Sequence, residues 1–235
     1  MSGLPMLLVV AGSCLQALFI RADLKHRYAS AAALKGVAAG IFVLLGILGA
    51  LGHPEGGASL ICFGLAFGMM GDILHALRFV RGRGLRSERS AKAVREHLFT
   101  IGALFFLAGH LCYLAYLLPC TGSMAWIALL SGIVLAGILA QALVHVVRLK
   151  GKRAGAGALY LACVCAMMSC AVAAWMEGRS TSSASFALGA ALFLLSDTLL
   201  AINSFGSRKR ADIRVWSLST YYAAQLLIAL SLWLV

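Results

Sequence analysis

Two aspartates lie inside long apolar stretches of this sequence, where a carboxyl group is costly. Asp72 lies in the apolar segment 58–79 and Asp197 in the segment 184–205. A charged side chain inside hydrocarbon costs about 3 kcal/mol or more, so an acid in such a segment is by default a functional hypothesis. Two carboxyl groups in one low-dielectric site repel each other when both are ionised, so we expect one of them to keep its proton. Such a pair is a general acid and a general base together, as hydrolysis of an acid-labile ether requires.

Further polar side chains fall within the same kind of segment and are predicted to line a cavity with the two aspartates. His75 follows Asp72 by three residues and Tyr113 follows His110 by three, so each pair shares one helical face. Taken singly, such groups are typical of hydrogen bonding between helices. Taken together, they indicate a polar cavity that opens toward the cytoplasmic leaflet. The remaining candidates for binding substrate or orienting water are Gln16, Asn203, Tyr221, Tyr222 and Gln225.

Sequence motifs of other hydrolases and of cofactor-binding proteins are absent. There is no Gly-x-Ser-x-Gly elbow, so ester hydrolysis by an activated serine is not favoured. There is also no His-Glu-x-x-His run, Walker loop or GxGxxG fingerprint. The seven cysteines show neither a zinc spacing nor a disulfide framework, because six of them fall inside apolar segments. We therefore predict that neither a metal nor an organic cofactor is required.

The composition shows which elements must position these residues. Apolar residues make up 62% of the 235 residues, charged residues only 12%, and the mean hydropathy is +0.93. A soluble domain of this length is nearer half apolar and a quarter charged, so lipid must form part of the solvent. The segments are apolar all round, whereas barrel strands would alternate apolar and polar residues. Helical spans are therefore predicted, since an unpaired backbone group is too costly in hydrocarbon.

Eight segments are long enough for a span of roughly 20 residues. The fold class is therefore predicted to be all-α, with one eight-helix transmembrane domain over residues 1–235. The longest connection, Val80–His97, is polar and basic and is compatible with a short surface helix. The predicted spans are Leu4–Ile20, Ala31–Leu51, Ala58–Phe79, Leu98–Leu118, Met124–Val147, Ala156–Met176, Ala184–Phe205 and Trp216–Val235.

The positive charges are concentrated on alternate connections. With Lys35 counted in the first connection, 19 of the 20 Lys and Arg residues fall on the odd-numbered connections, and only Arg179 falls elsewhere. Short basic loops stay in the cytoplasm, so both termini are predicted on the non-cytoplasmic side. The net charge of +12 is thus explained by membrane topology and by contact with anionic membrane lipids, and no nucleic-acid partner is expected. We expect a multi-pass integral membrane protein, in the inner membrane if the source is a bacterium.

An internal repeat relates the two acidic segments. Seven positions of segment 64–77 recur in segment 189–202 at a constant offset of 125 residues, five of them identically, and Asp72 corresponds to Asp197. Each half would contain four spans, an even number, so a 4+4 parallel repeat is expected rather than an inverted one. Both acids then lie at a similar depth, about 10–12 Å from the cytoplasmic boundary at 1.5 Å per helical residue.

Four sequence motifs follow one another in an order that resembles the YhhN-like membrane family, which includes lysoplasmalogenases. The stretches that carry them are GLAFGMMGDILHAL, FTIGALFFLAGHLCYLAYL, FALGAALFLLSDTLLAINSF and STYYAAQLLIAL. They contain Gly71-Asp72, Phe-x-x-Gly-His-x-x-Tyr, Ser196-Asp197-Thr198 and Tyr-Tyr-x-x-Gln, and they extend over roughly residues 64–230. The resemblance implies eight spans and hydrolysis of the vinyl-ether bond of a lysoplasmalogen substrate to a fatty aldehyde and a glycerophospho-choline or -ethanolamine. It also implies that Asp72 and Asp197 are catalytic.

The sequence leaves two alternatives to this hydrolase. A proton-coupled transporter or lipid carrier could use Asp72 and Asp197 as a proton relay, and the repeat together with His110 near the midplane favours this reading. No Pro or glycine pair breaks the spans at matching positions, which is against it. A purely structural membrane protein is the third reading. No obligate protein partner is evident, and the sequence does not distinguish which aspartate is the acid.

Overall fold

The computed structural model describes residues 3–52, 57–83, 87–148 and 151–234, with backbone only at residues 82, 83 and 152. Within these ranges the chain forms eight α-helices, a short 3-10 turn at Gly122–Met124 and no strand, which confirms the predicted all-α class. Seven of the helices, α1 to α7, are long and apolar enough to span a membrane. The helices are α1 (Gly3–Leu24), α2 (Tyr28–Gly52), α3 (Ala58–Arg83), α4 (Glu88–Cys120), α5 (Ala125–Leu143), α6 (Lys152–Gly178), α7 (Thr181–Phe205) and α8 (Ala211–Ser231).

Helix α8 corresponds to the eighth predicted span but is not among the seven helices that are apolar enough to span a membrane. Nine of its 21 residues are buried, and they include Ser217, Tyr221, Tyr222 and Gln225. These side chains are directed at neighbouring helices, since α8 packs against α1, α2, α3 and α7. The low hydropathy of α8 therefore reflects contacts with protein rather than contact with water.

The predicted surface helix between the third and fourth spans is wrong. Helix α3 continues to Arg83 and α4 begins at Glu88, so most of the basic stretch extends the two long helices. Hydropathy identifies only the part of a helix that contacts lipid. The backbone hydrogen bonds of these helices continue beyond the membrane surface. Glu88 in the first turn of α4 favours this early start, because an acid there complements the helix dipole.

The odd-numbered connections lie together at one end of the bundle. Asp23 at the end of α1 forms an ion pair with Arg214 of α8 at 2.6 Å. Glu96 of α4 forms another with Arg153 of α6 at 2.9 Å. These pairs join the first connection to the seventh and the third to the fifth. Among the described residues, these pairs bring the basic connections to one end of the bundle, as the topology prediction requires, while the side of the membrane stays a prediction.

The helices pack in the same order in both halves of the chain. In the first half α1 packs on α2, α2 on α3 and α3 on α4; in the second half α5 packs on α6, α6 on α7 and α7 on α8. Between the halves α2 contacts α8, and the equivalent pair α6 and α4 is also in contact. This arrangement agrees with the expected 4+4 parallel repeat.

Close packing of α5 on α6 depends on a glycine, and we expect Gly132→Ala to destabilise the bundle. A Cβ atom at Gly132 would lie 2.6 Å from Cα and 2.9 Å from the backbone nitrogen of Ala166, and backbone atoms cannot move aside cheaply. The expected loss is about 1–3 kcal/mol, measured as a lower unfolding temperature of the detergent-purified protein. Gly137→Ala on the same helix is the control, because nothing lies within 4 Å of its Cβ position and alanine favours the helix there. Equal unfolding temperatures of the two variants would contradict the packing of α5 on α6.

Candidate functional site

A cavity at the basic end of the bundle has both Asp72 and Asp197 in its lining. Asp72 comes from α3 and Asp197 from α7, the two helices related by the 125-residue offset. The cavity volume is about 70 Å³, room for on the order of five water molecules. Its other polar lining residues include Lys35, His75, Asn203 and Tyr221. The cavity therefore brings charged and polar side chains together between helices whose outer faces are apolar.

Asp72 is paired with a buried lysine. Nζ of Lys35, on α2, lies 2.7 Å from Oδ1 of Asp72, and the two side chains are only 9% and 2% exposed. Tyr221 lines the cavity with Asp72, and its hydroxyl group donates to the carbonyl oxygen of Gly68 at 3.5 Å. An ammonium group at this distance favours the ionised carboxylate. In the sequence, Lys35 is counted among the residues that determine membrane topology. This contact shows that Lys35 is instead part of the candidate site.

Asp197 has different partners. The hydroxyl group of Tyr160, on α6, donates to Oδ2 of Asp197 at 2.8 Å. His110, on α4, places its Nε2 atom 3.8 Å from the same oxygen, too far for a hydrogen bond but close enough for a proton shared after a small movement. Asp197 has no Lys or Arg partner within the described ranges.

The tautomer of His110 follows from its second contact. Nδ1 lies 2.6 Å from the carbonyl oxygen of Phe106, which can only accept, so Nδ1 carries a hydrogen. In the neutral ring Nε2 is then an acceptor, and it is fully buried with no hydrogen-bond partner among the described residues. Two acceptors, Nε2 and Oδ2 of Asp197, thus face each other. The arrangement is satisfied when one proton lies between them.

The partners of the two aspartates obey the same repeat as the aspartates themselves. Lys35 and Tyr160 are separated by 125 residues, like Asp72 and Asp197. Each partner lies on the helix that precedes its aspartate's helix, α2 before α3 and α6 before α7. The two halves therefore present an acid in the same way but give it a cationic neighbour in one half and a phenol in the other.

A chain of hydrogen bonds extends from the cavity into the protein. The Tyr113 hydroxyl donates to Oε1 of Gln225 at 2.9 Å, and Nε2 of Gln225 donates to the Tyr221 hydroxyl at 3.0 Å. Gln225 is completely buried and Tyr113 nearly so. Because Tyr221 also faces Asp72, this chain fixes the orientation of a hydroxyl group beside the carboxylate.

Reciprocal serine contacts hold the helix of Asp197 against α8. The Ser196 hydroxyl donates to the carbonyl oxygen of Ser217 at 2.9 Å, and the Ser217 hydroxyl donates to that of Ser196 at 3.0 Å. Both side chains are buried. The position of Asp197 along α7 is thus fixed by the residue next to it.

A comparison with known families agrees with this architecture. The sequence profile of the YhhN family matches residues 30–232, which include α3 to α8 and nearly all of α2. This chain belongs to the YhhN family. The family resemblance drawn from the motifs is confirmed, and the YhhN family includes lysoplasmalogenases. No protein of curated function and no solved structure matches the chain.

The YhhN-family cavity brings together only some of the residues that the sequence proposed for it. His75, Asn203 and Tyr221 line it with the two aspartates. His75 stacks on the Phe99 ring and contacts the Phe99 carbonyl oxygen at 3.2 Å. Asn203 accepts a hydrogen bond from the backbone N–H of Arg210 and so also closes the turn into α8. His110, Tyr113 and Gln225 lie behind the cavity wall, in contact with residues of the wall.

Two other predicted residues are placed elsewhere in this YhhN-family protein. The side chain of Gln16 donates to the carbonyl oxygen of Leu218 at 3.0 Å and ties α1 to α8. The Tyr222 hydroxyl donates to the carbonyl oxygen of Ala38 at 2.9 Å and ties α8 to α2. Neither residue is in the cavity lining. The described residues also contain no cluster of three His, Cys, Asp or Glu side chains that could hold a metal ion.

Proposed function

We propose that this YhhN-family protein hydrolyses the vinyl-ether bond of lysoplasmalogens. The observation that carries the proposal is one cavity with two aspartates in its wall, Asp72 beside an ammonium group and Asp197 beside a phenol and an imidazole. A transport relay needs acids in series along a path, whereas hydrolysis needs an acid and a base beside one substrate. The substrate would be a lysophospholipid drawn from the surrounding membrane lipids.

In this proposal the base and the acid are distinguished by the different neighbours of the two aspartates. Asp72 is the carboxylate, because Lys35 lies against it and compensates its charge. Asp197 is the acid, because no such cation lies beside it within the described ranges and Nε2 of His110, an acceptor, lies 3.8 Å from its Oδ2. Tyr160 holds Oδ2 of Asp197 in place by donating to it. Lys35, Tyr160 and His110 are positioning residues in this scheme.

The reaction is balanced by one molecule of water. Asp197 donates its proton to the vinyl carbon remote from the ether oxygen, which leaves an oxocarbenium ion stabilised by the Asp72 carboxylate. Asp72 then takes a proton from a water molecule as that water adds to the cationic carbon and forms a hemiacetal. The hemiacetal hydroxyl gives its proton to the Asp197 carboxylate, the carbon–oxygen bond to glycerol breaks, and Asp72 gives its proton to the glycerol oxygen. The products are a fatty aldehyde and a glycerophospho-choline or -ethanolamine, and both carboxyl groups return to their starting states.

The size of the cavity sets where the parts of the substrate lie. At about 70 Å³ it accommodates the reacting ether and water but not an alkenyl chain. The chain would therefore extend between the apolar helix faces toward the lipid. His75, Asn203 and Tyr221 would contact the glycerol or the water molecule, since their side chains share the lining with the aspartates.

Release of aldehyde from matched lipids tests the proposed function. Detergent-purified protein incubated with 1-alkenyl, 1-alkyl and 1-acyl lysophospholipids is expected to release aldehyde from the alkenyl lipid alone, because only a vinyl ether becomes an oxocarbenium ion on protonation. Aldehyde is measured by its coupled oxidation, and fatty acid from the acyl lipid is measured in parallel. Fatty-acid release would indicate an ester hydrolase. No product from any lipid would reject hydrolysis and favour the carrier reading.

A further inference from the structure

Two guanidinium groups lie at the basic end of the cavity, one from Arg78, six residues beyond Asp72 on α3, and one from Arg214 on α8. Arg78 and Arg214 both line the cavity, and their Cζ atoms lie 4.6 Å and 5.2 Å from the centre of the Phe79 ring. The Arg78 group also lies 5.0 Å from the Phe99 ring. An aromatic wall therefore holds two cations beside each other.

Within the part of the chain that the structure describes, one of these two cations forms an ion pair with a carboxylate. Asp23 accepts two hydrogen bonds from Arg214, at 2.6 Å from Nε and 2.8 Å from Nη2. Arg78 has no ion-pair partner within the described ranges, and its Nε is buried without a hydrogen-bond partner there. An arginine stays charged under all ordinary conditions, and a buried unsatisfied donor is unfavourable. The mouth of the cavity therefore carries one uncompensated positive charge and open hydrogen-bond donors.

The spacing of Arg78 from Asp72 along α3 is of the same order as the length of a glycerophospholipid backbone. Six helical residues separate Arg78 from Asp72, about 9 Å along the axis. Five bonds separate the ether oxygen of a lysophospholipid from its phosphorus atom, about 6 Å when extended. A guanidinium group in contact with a phosphate adds about 3 Å between the donor nitrogen and the phosphate oxygen. The two lengths are of the same order, and both residues line the same cavity.

We infer that Arg78, with Arg214 beside it, binds the phosphate of the lysophospholipid at the mouth of the cavity. The inference rests on the proposed function and names the part of the substrate that fixes its orientation. Guanidinium groups recognise phosphate oxygens through paired hydrogen bonds, which a lysine cannot reproduce. The headgroup then faces the basic end of the bundle, and the vinyl ether lies beside the aspartates.

A pair of substrates that differ only in phosphate tests this assignment. Arg78→Gln is expected to lower kcat/KM for 1-alkenyl-glycerophosphocholine by about 10- to 100-fold, since a charged hydrogen bond is lost. The same variant is expected to leave cleavage of 1-alkenylglycerol, which has no phosphate, within about two-fold of wild type. Arg78→Lys should recover part of the loss, because it retains the charge without the paired donors. Arg81→Gln is the matched control, as Arg81 lies on the same helix with its side chain exposed outside this cavity.

Equal losses on both substrates, or an equal loss in Arg81→Gln, would overturn the inference. Binding measurements test this inference independently of the proposed reaction, because they do not require cleavage of the lipid. Titration with the uncleavable 1-alkyl-glycerophosphocholine and with 1-alkylglycerol should show about ten-fold weaker binding of the phospholipid alone in Arg78→Gln, even if neither alkenyl lipid is cleaved. Inorganic phosphate is the third ligand. If the protein binds inorganic phosphate but Arg78→Gln leaves binding of the lipid unchanged, the site binds the free anion. That result would overturn the assignment of Arg78 to the lipid phosphate.

Discussion

Replacing either Asp72 or Asp197 with asparagine is expected to reduce aldehyde release by about 10²- to 10⁴-fold, the usual contribution of a general acid or base. In Asp197→Asn the amide could not give a proton to the vinyl carbon. In Asp72→Asn the amide could neither stabilise the oxocarbenium ion nor accept a proton from water. The substitutions keep the volume of each side chain, so the helices around the cavity should still pack. The measurement is kcat for 1-alkenyl-glycerophosphocholine, with the unfolding temperature as a check on folding.

Asp212→Asn is the matched control for both substitutions. Asp212 is an exposed aspartate in the first turn of α8, paired with Arg210 and absent from the cavity lining. Its loss should leave kcat unchanged. Full activity in both the Asp72 and the Asp197 variants would reject acid–base catalysis by these residues, whatever the substrate.

Lys35→Met is expected to lose both activity and stability. The substitution leaves the Asp72 carboxylate buried without its cation, and breaking a buried ion pair costs about 3–5 kcal/mol. If Asp72 escapes this penalty by taking up a proton, it can no longer act as the base. Aldehyde release should therefore fall by about 100-fold or more, and the unfolding temperature should fall with it.

The double variant Lys35→Met, Asp72→Asn separates the two effects. Removing both charges eliminates the unpaired group, so most of the lost stability should return while activity stays absent. Lys25→Met serves as the control, since Lys25 is exposed in the connection between α1 and α2. If Lys35→Met retained wild-type stability, the Lys35–Asp72 pair would not be the buried contact described here.

The helices were largely predictable, because hydrophobic length is a direct consequence of the lipid solvent. All eight predicted spans correspond to helices in the described ranges. The boundaries differ most where a helix extends into water, as at Glu88, ten residues before the predicted start of the fourth span. No apolar pattern marks such an extension, and only backbone hydrogen bonding and helix-end preferences determine its length.

Site residues were predictable from the sequence where a charged side chain falls inside an apolar helix. They were not predictable where the residue belongs to the site only because it contacts such a side chain. Asp72 and Asp197 stand out because any acid in an apolar helix requires an explanation. Lys35 lies near the end of its span, where a cation is ordinarily a topology determinant, and Tyr160 lies among small residues with nothing to distinguish it. The available signal was the 125-residue offset, which relates Lys35 to Tyr160 on the helices that precede the aspartates.

The sequence does not predict which way a side chain points around the axis of its helix. Helices that are apolar on all faces give no periodic signal of which face meets protein. Gln16 and Tyr222 satisfy backbone carbonyl groups of neighbouring helices, whereas Tyr221, one residue before Tyr222, reaches the cavity. Adjacent residues of one helix point about 100° apart, so the bundle arrangement alone decides which of them is functional.

The unequal neighbours of Asp72 and Asp197 also matter for how such a centre can be assembled. A symmetrical dimer of either half alone would set two lysines, or two phenols, beside two equivalent carboxyl groups, so its proton donor and acceptor would be indistinguishable. Fusion into one polypeptide allows a single position, occupied by Lys35 on one side and Tyr160 on the other, to make them unlike. The difference between a proton-donating and a proton-accepting aspartate is therefore a property of the fused chain. Neither four-helix unit has it alone.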